Sequence, residues 1–242
     1  MDLGLAGKVA LVTASSRGLG QASAAALAAE GAALTICGRN AESLHQTEAG
    51  LRASGAEVHA LVADVTEPSA PRQLVEATLA RFGRLDVLVA NAGGPPPARS
   101  LDVTDEQLEA ALNDNLLTSI RLVREALPPM RSAGWGRICL LTSFYIRQPS
   151  PTLALSNTAR TGLWAWAKTA AQDVFRDGIT INLACPGFHA TERIKGLTLP
   201  PEVPVGRPED FGRVVAFLCS EPARFINGAA IQVDGGVVGS LS

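Results

Sequence analysis

The stretch KVALVTASSRGLGQASAAALA, residues 8–28, decides the fold class of this chain. It begins with a short apolar run, passes through a loop with glycines at 18 and 20, and continues into an alanine-rich helical segment from about Leu19 to Glu30. A strand that turns directly into a helix is the first unit of a parallel α/β sheet. The loop can present backbone N–H groups at a helix N-terminus, which suits a pyrophosphate group.

The rest of the chain repeats this alternation. Further short apolar runs predict strands at 33–38, 56–64, 85–93, 136–143, 178–187 and 229–236. Helical stretches such as 104–130 lie between them, and Thr104 with Gln107 can form a capping box there. Because the runs are short and mostly apolar, we expect one doubly wound, Rossmann-type α/β domain over residues 1–242, with a parallel sheet of about seven strands and helices on both faces.

The bulk composition excludes several classes of protein. The 242 residues are 47% hydrophobic and 18% charged, as in globular proteins. A net charge of -2 gives no electrostatic reason to expect a nucleic-acid or membrane partner. Without a basic, then apolar leader or a long apolar run, the chain is expected to be soluble and cytoplasmic. The four cysteines are far apart and the three histidines isolated, so we expect free thiols and no metal site.

Several short motifs follow one another along the whole chain. They are TASSRGLG at 13–20, ADV at 63–65, NAG at 91–93, a helical Asn115, Ser143 after the fifth strand, PG at 186–187 with Thr191 beyond it, GRPED at 206–210 and VDGG at 233–236. Together they resemble the motifs of the short-chain dehydrogenase/reductase family, and of its 3-oxoacyl-ACP-reductase-like members. Ala14 departs from the pattern, because it stands at the first glycine of the family's TGxxxGxG. Alanine is tolerated there if its φ is negative.

The resemblance implies a bound nicotinamide cofactor, with Asp64 contacting the adenine. The cofactor-binding residues that it implies are Thr13, Ser15, Ser16, Arg17, Gly18, Leu19, Gly20, Arg39, Asp64, Val65, Asn91, Ala92, Gly93, Arg160, Pro186, Gly187 and Thr191. An NAD site usually has a carboxylate after the second strand, but this chain has Gly38 and then Arg39. Two guanidiniums, on Arg39 and Arg17, suit a 2′-phosphate and favour NADP(H) over NAD(H). The alternative is that Arg39 only faces solvent.

The catalytic end departs further from the family. In the family, a serine and a tyrosine bind the substrate oxygen, the tyrosine passes the proton, and a lysine holds the nicotinamide ribose. Ser143 matches that serine, but the tyrosine and lysine positions fall on Ser156 and Arg160. A serine hydroxyl is too short and too weakly acidic to copy a phenol, whereas Arg160 keeps the positive charge. The candidate catalytic residues are Asn115, Ser143, Tyr145, Ser156 and Arg160.

Tyr145 is the only tyrosine of the chain, and its role has two interpretations. It either replaces the missing acid or packs on the rim of the cleft. Arg147, close by, is either a further polar candidate or a solvated loop charge. The segment 188–205, where the family carries a helical lid, is short and contains three prolines, so we predict a short lid and an open pocket.

These observations lead to one main functional interpretation and two alternatives. The main one is an NADP(H)-dependent oxidoreductase that acts on a small carbonyl or alcohol substrate with an atypical acid/base site. The first alternative is a redox-inactive NADP(H)-binding protein, a sensor or a partner subunit. The second is another reaction in the same cleft, such as dehydration. The resemblance also implies a homo-oligomer, a tetramer or a dimer.

Overall fold

The structure, a computed structural model, describes residues 1–240. Parallel strands form a seven-stranded sheet in the order β3-β2-β1-β4-β5-β6-β7. The strands are β1 (Val9–Val12), β2 (Ala33–Gly38), β3 (Val58–Val62), β4 (Val87–Ala90), β5 (Gly136–Leu141), β6 (Ile179–Pro186) and β7 (Ala230–Val233). The predicted fold class is therefore confirmed, and each strand lies within its predicted range.

Helices cover both faces of this sheet. They are α1 (Gly18–Ala29), α2 (Ala41–Ala53), α3 (Ala70–Phe82), α4 (Asp105–Leu112), α5 (Thr118–Ala133), α6 (Ala154–Val174) and α7 (Pro208–Leu218). Helices α1, α2 and α7 pack into one apolar cluster, and α3, α5 and α6 pack into the other. Within residues 1–240, no helix combines the length and the apolar character that a membrane crossing requires.

The predicted helix over 104–130 is interrupted. The Thr104–Gln107 capping box is present at its start. Between α4 and α5, however, Asn113–Leu117 forms one π-helical turn. Single π turns inside helices are rare and often occur at functional sites, and this one contains Asn115.

The order of the strands creates a crevice beside β1. The chain moves outward from β1 through β2 to β3, and then returns to place β4 on the other side of β1. The connections after β1 and β4 therefore leave in opposite directions, and the carboxyl ends of these two strands border an open space. Ligands of doubly wound sheets bind at such a switch point.

Ala14, directly after β1, has a left-handed backbone conformation. Its φ is +46°, and it is the only non-glycine residue with a positive φ among residues 1–240. The negative φ that would make alanine harmless at this position is therefore not found. A left-handed conformation costs an L-residue about 1–2 kcal/mol, so the loop holds strain that a glycine would not have.

We predict that Ala14→Gly stabilises the protein. Glycine removes the left-handed strain. It also increases the conformational entropy of the unfolded chain, which lowers the stability of the folded state by about 0.4–1 kcal/mol. The expected net gain is up to about 1.6 kcal/mol in the free energy of unfolding, measured by urea denaturation. Ala14→Val is the matched control and should destabilise, because a β-branched residue tolerates positive φ poorly. A lower stability for Ala14→Gly than for the unmodified protein would contradict the assignment of strain.

Candidate active site

The loop after β1 is fastened to the end of β4. The Thr13 hydroxyl donates to the Asn91 carbonyl oxygen over 2.7 Å and accepts from the Asn91 N–H over 2.8 Å. The Asn91 side-chain amide donates to the Ala14 carbonyl oxygen over 3.2 Å. These bonds hold the two borders of the crevice in a fixed relation.

The same loop is also fixed to β2 and α2. The Ser15 hydroxyl donates to the Val12 carbonyl oxygen over 2.7 Å and accepts from the Cys37 N–H over 3.2 Å. The Thr47 hydroxyl donates to the Ser16 carbonyl oxygen over 2.9 Å. The hydroxyls of Thr13 and Ser15 are thus engaged by backbone groups, so these two residues shape the loop.

The geometry of the loop fits a pyrophosphate. Helix α1 begins at Gly18, and Arg17 at its N-cap supplies no side-chain cap, so the first N–H groups of the helix remain available to an anion. Gly20 has no room for a side chain: an added Cβ would collide with the Ala14 carbonyl oxygen and lie 2.9 Å from the Asn91 amide nitrogen. The glycine therefore lets α1 start directly against the strand ends.

The predicted adenosine end contains an ion pair. Arg39 Nη1 lies 3.7 Å from Asp64 Oδ2, although the Arg39 side chain is 74% exposed. Partial burial raises the pKa of Asp64, but hydrogen bonds from the Thr66 N–H and hydroxyl, together with Arg39, outweigh burial and hold that pKa below its usual value. Arg39 therefore lies beside Asp64, the predicted adenine contact. The sequence places no carboxylate next to Arg39, but the fold brings that of Asp64 close to it. Val65 is buried behind the pair, and Arg17 is exposed.

The catalytic candidates meet at the end of β5. The Ser143 hydroxyl accepts from the Tyr145 N–H over 3.3 Å at the start of a short 3-10 turn, Phe144–Ile146. Arg160, on α6, donates from Nη1 to the Leu141 carbonyl oxygen over 3.0 Å. This bond brings the guanidinium to the strand end that carries Ser143. Burial lowers the pKa of Arg160 to about 10, so it stays protonated at neutral pH.

Asn115 is the most informative of the polar side chains in this region. It is 3% exposed, and neither its amide nitrogen nor its amide oxygen has a hydrogen-bond partner within residues 1–240. Its π-helical turn packs against α6, the helix that carries Ser156 and Arg160. Leaving a buried amide unpaired costs about 1–3 kcal/mol, so this geometry fits a site that a ligand or a water completes.

The two hydroxyl candidates for proton transfer are not arranged as an activated acid. The Ser156 hydroxyl, one helical turn before Arg160, makes no hydrogen bond to any residue in the described range 1–240. The Tyr145 ring stacks on Phe144 with centroids 3.9 Å apart, and burial raises the pKa of its phenol. No neighbouring cation lowers that pKa, as a substitute acid would require.

Arg147 is not the solvated charge that one interpretation of the sequence suggested. Its guanidinium lies over the Trp164 ring at 4.9 Å and donates to the Ala230 carbonyl oxygen over 3.3 Å. It therefore links the loop after β5 to α6 and β7, and it is partly buried.

The last predicted site segment follows β6. The Gly187 N–H donates to the Val233 carbonyl oxygen over 2.9 Å, and a Cβ on Gly187 would lie 2.6 Å from the Asp234 Cα, so Pro186–Gly187 lies tightly against β7. Thr191 reaches the glycine loop, with its Cγ2 3.7 Å from a Cβ added at Gly18. The segment 188–205 contains a single helical element, the 3-10 turn Glu192–Ile194. This agrees with the prediction of a short lid.

Two residues near the cleft were not identified from the sequence. Gly94 follows the NAG stretch, and the Arg193 guanidinium from the segment after β6 lies against it. The doubled glycine at 93–94 is a signal of close approach that the sequence contains, but nothing in the sequence pairs it with Arg193. Within residues 1–240, no group of histidine, cysteine and acidic side chains could hold a metal ion, and the four cysteines are buried and free.

Known proteins share this architecture over the whole chain. The family model described as enoyl-(acyl carrier protein) reductase matches residues 13–238. The human dehydrogenase/reductase SDR family member 4 is 32% identical, over 98% of this chain and 90% of its own. The 3-oxoacyl-[acyl-carrier-protein] reductase FabG of Escherichia coli is 33% identical, over 96% of this chain and 97% of its own.

Solved structures agree with these relatives. The L-sorbose reductase of Gluconobacter frateurii, complexed with NADPH and L-sorbose, superimposes with a TM-score of 0.93 at 31% identity, and the match covers 100% of both chains. YwfH, an NADPH-dependent reductase of bacilysin biosynthesis, superimposes with a TM-score of 0.92 at 25% identity, over 97% of this chain and 99% of its own. From its sequence, its sheet order and these matches, the chain belongs to the short-chain dehydrogenase/reductase family.

Proposed function

We propose that this protein is an NADP(H)-dependent oxidoreductase that interconverts a small carbonyl compound and its alcohol with an atypical acid/base site. The observation that carries the proposal is the buried, unpartnered amide of Asn115 on a helix turn that packs against the Arg160-bearing helix. A buried amide without a protein partner is stabilised when a ligand or a water pairs with it. Two proteins that superimpose on this chain support the choice of cofactor: the L-sorbose reductase complexed with NADPH and the NADPH-dependent reductase YwfH.

The cofactor would be held along the crevice by residues with matching chemistry. The uncapped N-terminus of α1 would accept the pyrophosphate, and Asp64 with Val65 would border the adenine. Arg39, with Arg17, would face the 2′-phosphate. Asn91, Ala92 and Gly93 would line the crevice at β4, and Pro186, Gly187 and Thr191 would close it from the β6 side. When bound, the nicotinamide supplies or accepts the hydride.

The chain's own residues then orient the substrate and supply a proton. Ser143 would donate a hydrogen bond to the substrate oxygen, and Arg160 would hold the nicotinamide ribose while it remains tied to the Leu141 carbonyl. On the interpretation that Ser156 and Arg160 occupy the tyrosine and lysine positions of the family, no phenol lies there. We propose that a water held by Asn115 delivers the proton, because burial makes the Tyr145 phenol a weaker acid and no cation counteracts it.

A second candidate function is a redox-inactive NADP(H)-binding protein. It is favoured by the lack of an activated acid near Ser143: burial raises the pKa of the Tyr145 phenol, and the Ser156 hydroxyl makes no hydrogen bond within residues 1–240. We also propose that the chain is a homo-oligomer, a dimer or a tetramer. Exposed apolar side chains support this, such as the edge-to-face pair of Phe175 and Phe225, which are 40% and 88% exposed.

We predict that Arg39→Gln weakens NADPH binding and leaves NADH binding unchanged. A charge-assisted hydrogen bond contributes about 1.5–3 kcal/mol, so the Kd of NADPH should rise about 10- to 100-fold. Glutamine removes the charge without placing a second carboxylate beside Asp64. Arg72→Gln, an exposed arginine on α3 paired with Glu76, is the matched control. Equal loss of both cofactors, measured by fluorescence titration, would contradict the 2′-phosphate role.

We predict that Ser156→Tyr combined with Arg160→Lys raises ketone reductase activity. A positioned general acid contributes about 10²- to 10⁴-fold, and the phenol would start from the helix position that the family uses. The control is Ser156→Phe with Arg160→Lys, which supplies the ring without the hydroxyl. Steady-state kcat/KM with NADPH measures the change. If Ser156→Tyr with Arg160→Lys instead loses an activity that the unmodified protein has, the present Ser156 and Arg160 form a different working site.

We predict that Tyr145→Phe lowers turnover by less than about tenfold, because phenylalanine keeps the stacking on Phe144 and the proton comes from water. The Kd of NADPH should not change. A fall in kcat of about 10²- to 10⁴-fold at unchanged affinity would contradict this and would identify Tyr145 as the acid.

A further inference from the structure

An exposed cation of the segment after β6 lies against the β4 border of the crevice. Arg193 lies in the 3-10 turn Glu192–Ile194. A Cβ added at Gly94 would lie 2.5 Å from its Nη2 atom, 3.1 Å from Cζ and 3.2 Å from Nη1. The flat guanidinium therefore packs on the backbone of Gly94, and a glycine there is what gives it room.

The position of Arg193 places it across the crevice. Gly94 follows the Asn91–Gly93 stretch at the end of β4, whereas Thr191, two residues before Arg193, contacts the glycine loop at Gly18. The chain thus passes from the pyrophosphate side of the cleft at Thr191 toward the β4 side at Arg193.

No acidic side chain neutralises Arg193. Glu192, its neighbour in the turn, pairs with Lys195 instead. Among residues 1–240, no carboxylate lies within ion-pair distance of the Arg193 guanidinium. An exposed guanidinium at the border of the crevice, without a counter-ion, can bind a carboxylate or a phosphate of a ligand.

A second guanidinium lies close to the first. Burial is the main cause of the lowered pKa of Arg160, and the positive charge of Arg193 lowers that pKa further, so the two groups repel each other. Arg160 also has no acidic partner within the described part of the chain, since its guanidinium bonds to the Leu141 carbonyl. The end of the cleft that contains Ser143 therefore carries two positive charges, and an anion bound there would offset their repulsion.

We propose that Arg193 recognises a carboxylate on the substrate, with the positive charge of Arg160 adding to the attraction, so that the enzyme acts on an oxo acid and the corresponding hydroxy acid rather than on neutral carbonyl compounds. This inference rests on the proposed function and names its substrate class. The pyrophosphate of the cofactor is the other anion that Arg193 could bind. The N-terminus of α1, which Thr191 contacts at Gly18, offers a separate site for that pyrophosphate. Arg193 instead faces Gly94 and adds its charge to that of Arg160.

The test measures binding and turnover separately. The protein saturated with NADP⁺ is titrated calorimetrically with 2-oxobutyrate, acetoacetate and levulinate, in which the carbonyl and the carboxylate are increasingly far apart, and with the methyl ester of each. The same compounds are assayed for reduction by NADPH. We expect at least one acid to bind more tightly than its ester, and Arg193→Met to raise the Kd of that acid at least about tenfold.

Controls separate the substrate role of Arg193 from other roles. Lys195→Met, in the same turn, should leave the Kd of the acid within about twofold, and Arg193→Lys should restore part of the loss because it keeps the charge. The Kd of NADPH and the Kd of the ester should not change in Arg193→Met. Acid binding that depends on Arg193 without any turnover would support the inference and remove the proposed reductase function.

Two results would overturn the inference. One is that none of the three acids binds more tightly than its ester to the unmodified protein. The other is that Arg193→Met weakens NADPH binding and leaves the ratio of acid to ester affinity unchanged, which would assign Arg193 to the cofactor pyrophosphate.

Discussion

The close contact between the loop after β1 and the end of β4 is the constraint on which the rest of the site depends. The Asn91 amide donates to the Ala14 carbonyl, and Gly20 lies so near that carbonyl that no side chain fits. As a result, α1 begins directly at the crevice and points its free N–H groups into it. The loop tolerates a strained alanine at position 14 to keep this arrangement. This one contact aligns the two borders of the crevice in which we propose that the cofactor binds.

The two ends of the cleft differ in how their positive charges are balanced. At the proposed adenosine end, Arg39 has a carboxylate nearby in Asp64. At the Ser143 end, Arg160 and Arg193 have no acidic partner within residues 1–240, and Asn115 has no hydrogen-bond partner. The charge of the exposed Arg193 is solvated, whereas the unpaired buried amide of Asn115 costs free energy until a ligand or a water pairs with it. Both features are consistent with our proposal that the cleft recognises an anionic, hydrogen-bonding substrate.

Much of the fold could be predicted from the sequence, because the apolar runs and the glycine loop are local signals. The seven strands and the capping box at Thr104 depend on neighbouring residues and were found in place. The π-helical turn around Asn115 was missed, since its sequence reads as uninterrupted helix. The Arg39–Asp64 pair and the packing of Arg193 on Gly94 join residues distant in the chain, which no local pattern reveals. The left-handed φ of Ala14 was not apparent either, because the sequence does not state which backbone conformation a substituted alanine must adopt.

The central proposal is that this cleft transfers a hydride, and that it does so with Ser156 rather than a phenol at the position of the family tyrosine. The most direct measurement uses NADPH deuterated at both C4 positions, incubated with the unmodified protein and a panel of oxo acids and neutral ketones. Mass spectrometry of the products shows whether deuterium has reached the carbonyl carbon. The account predicts one deuterium per alcohol formed and more product from an oxo acid than from the ketones. Saturable NADPH binding with no deuterium in any product would contradict it.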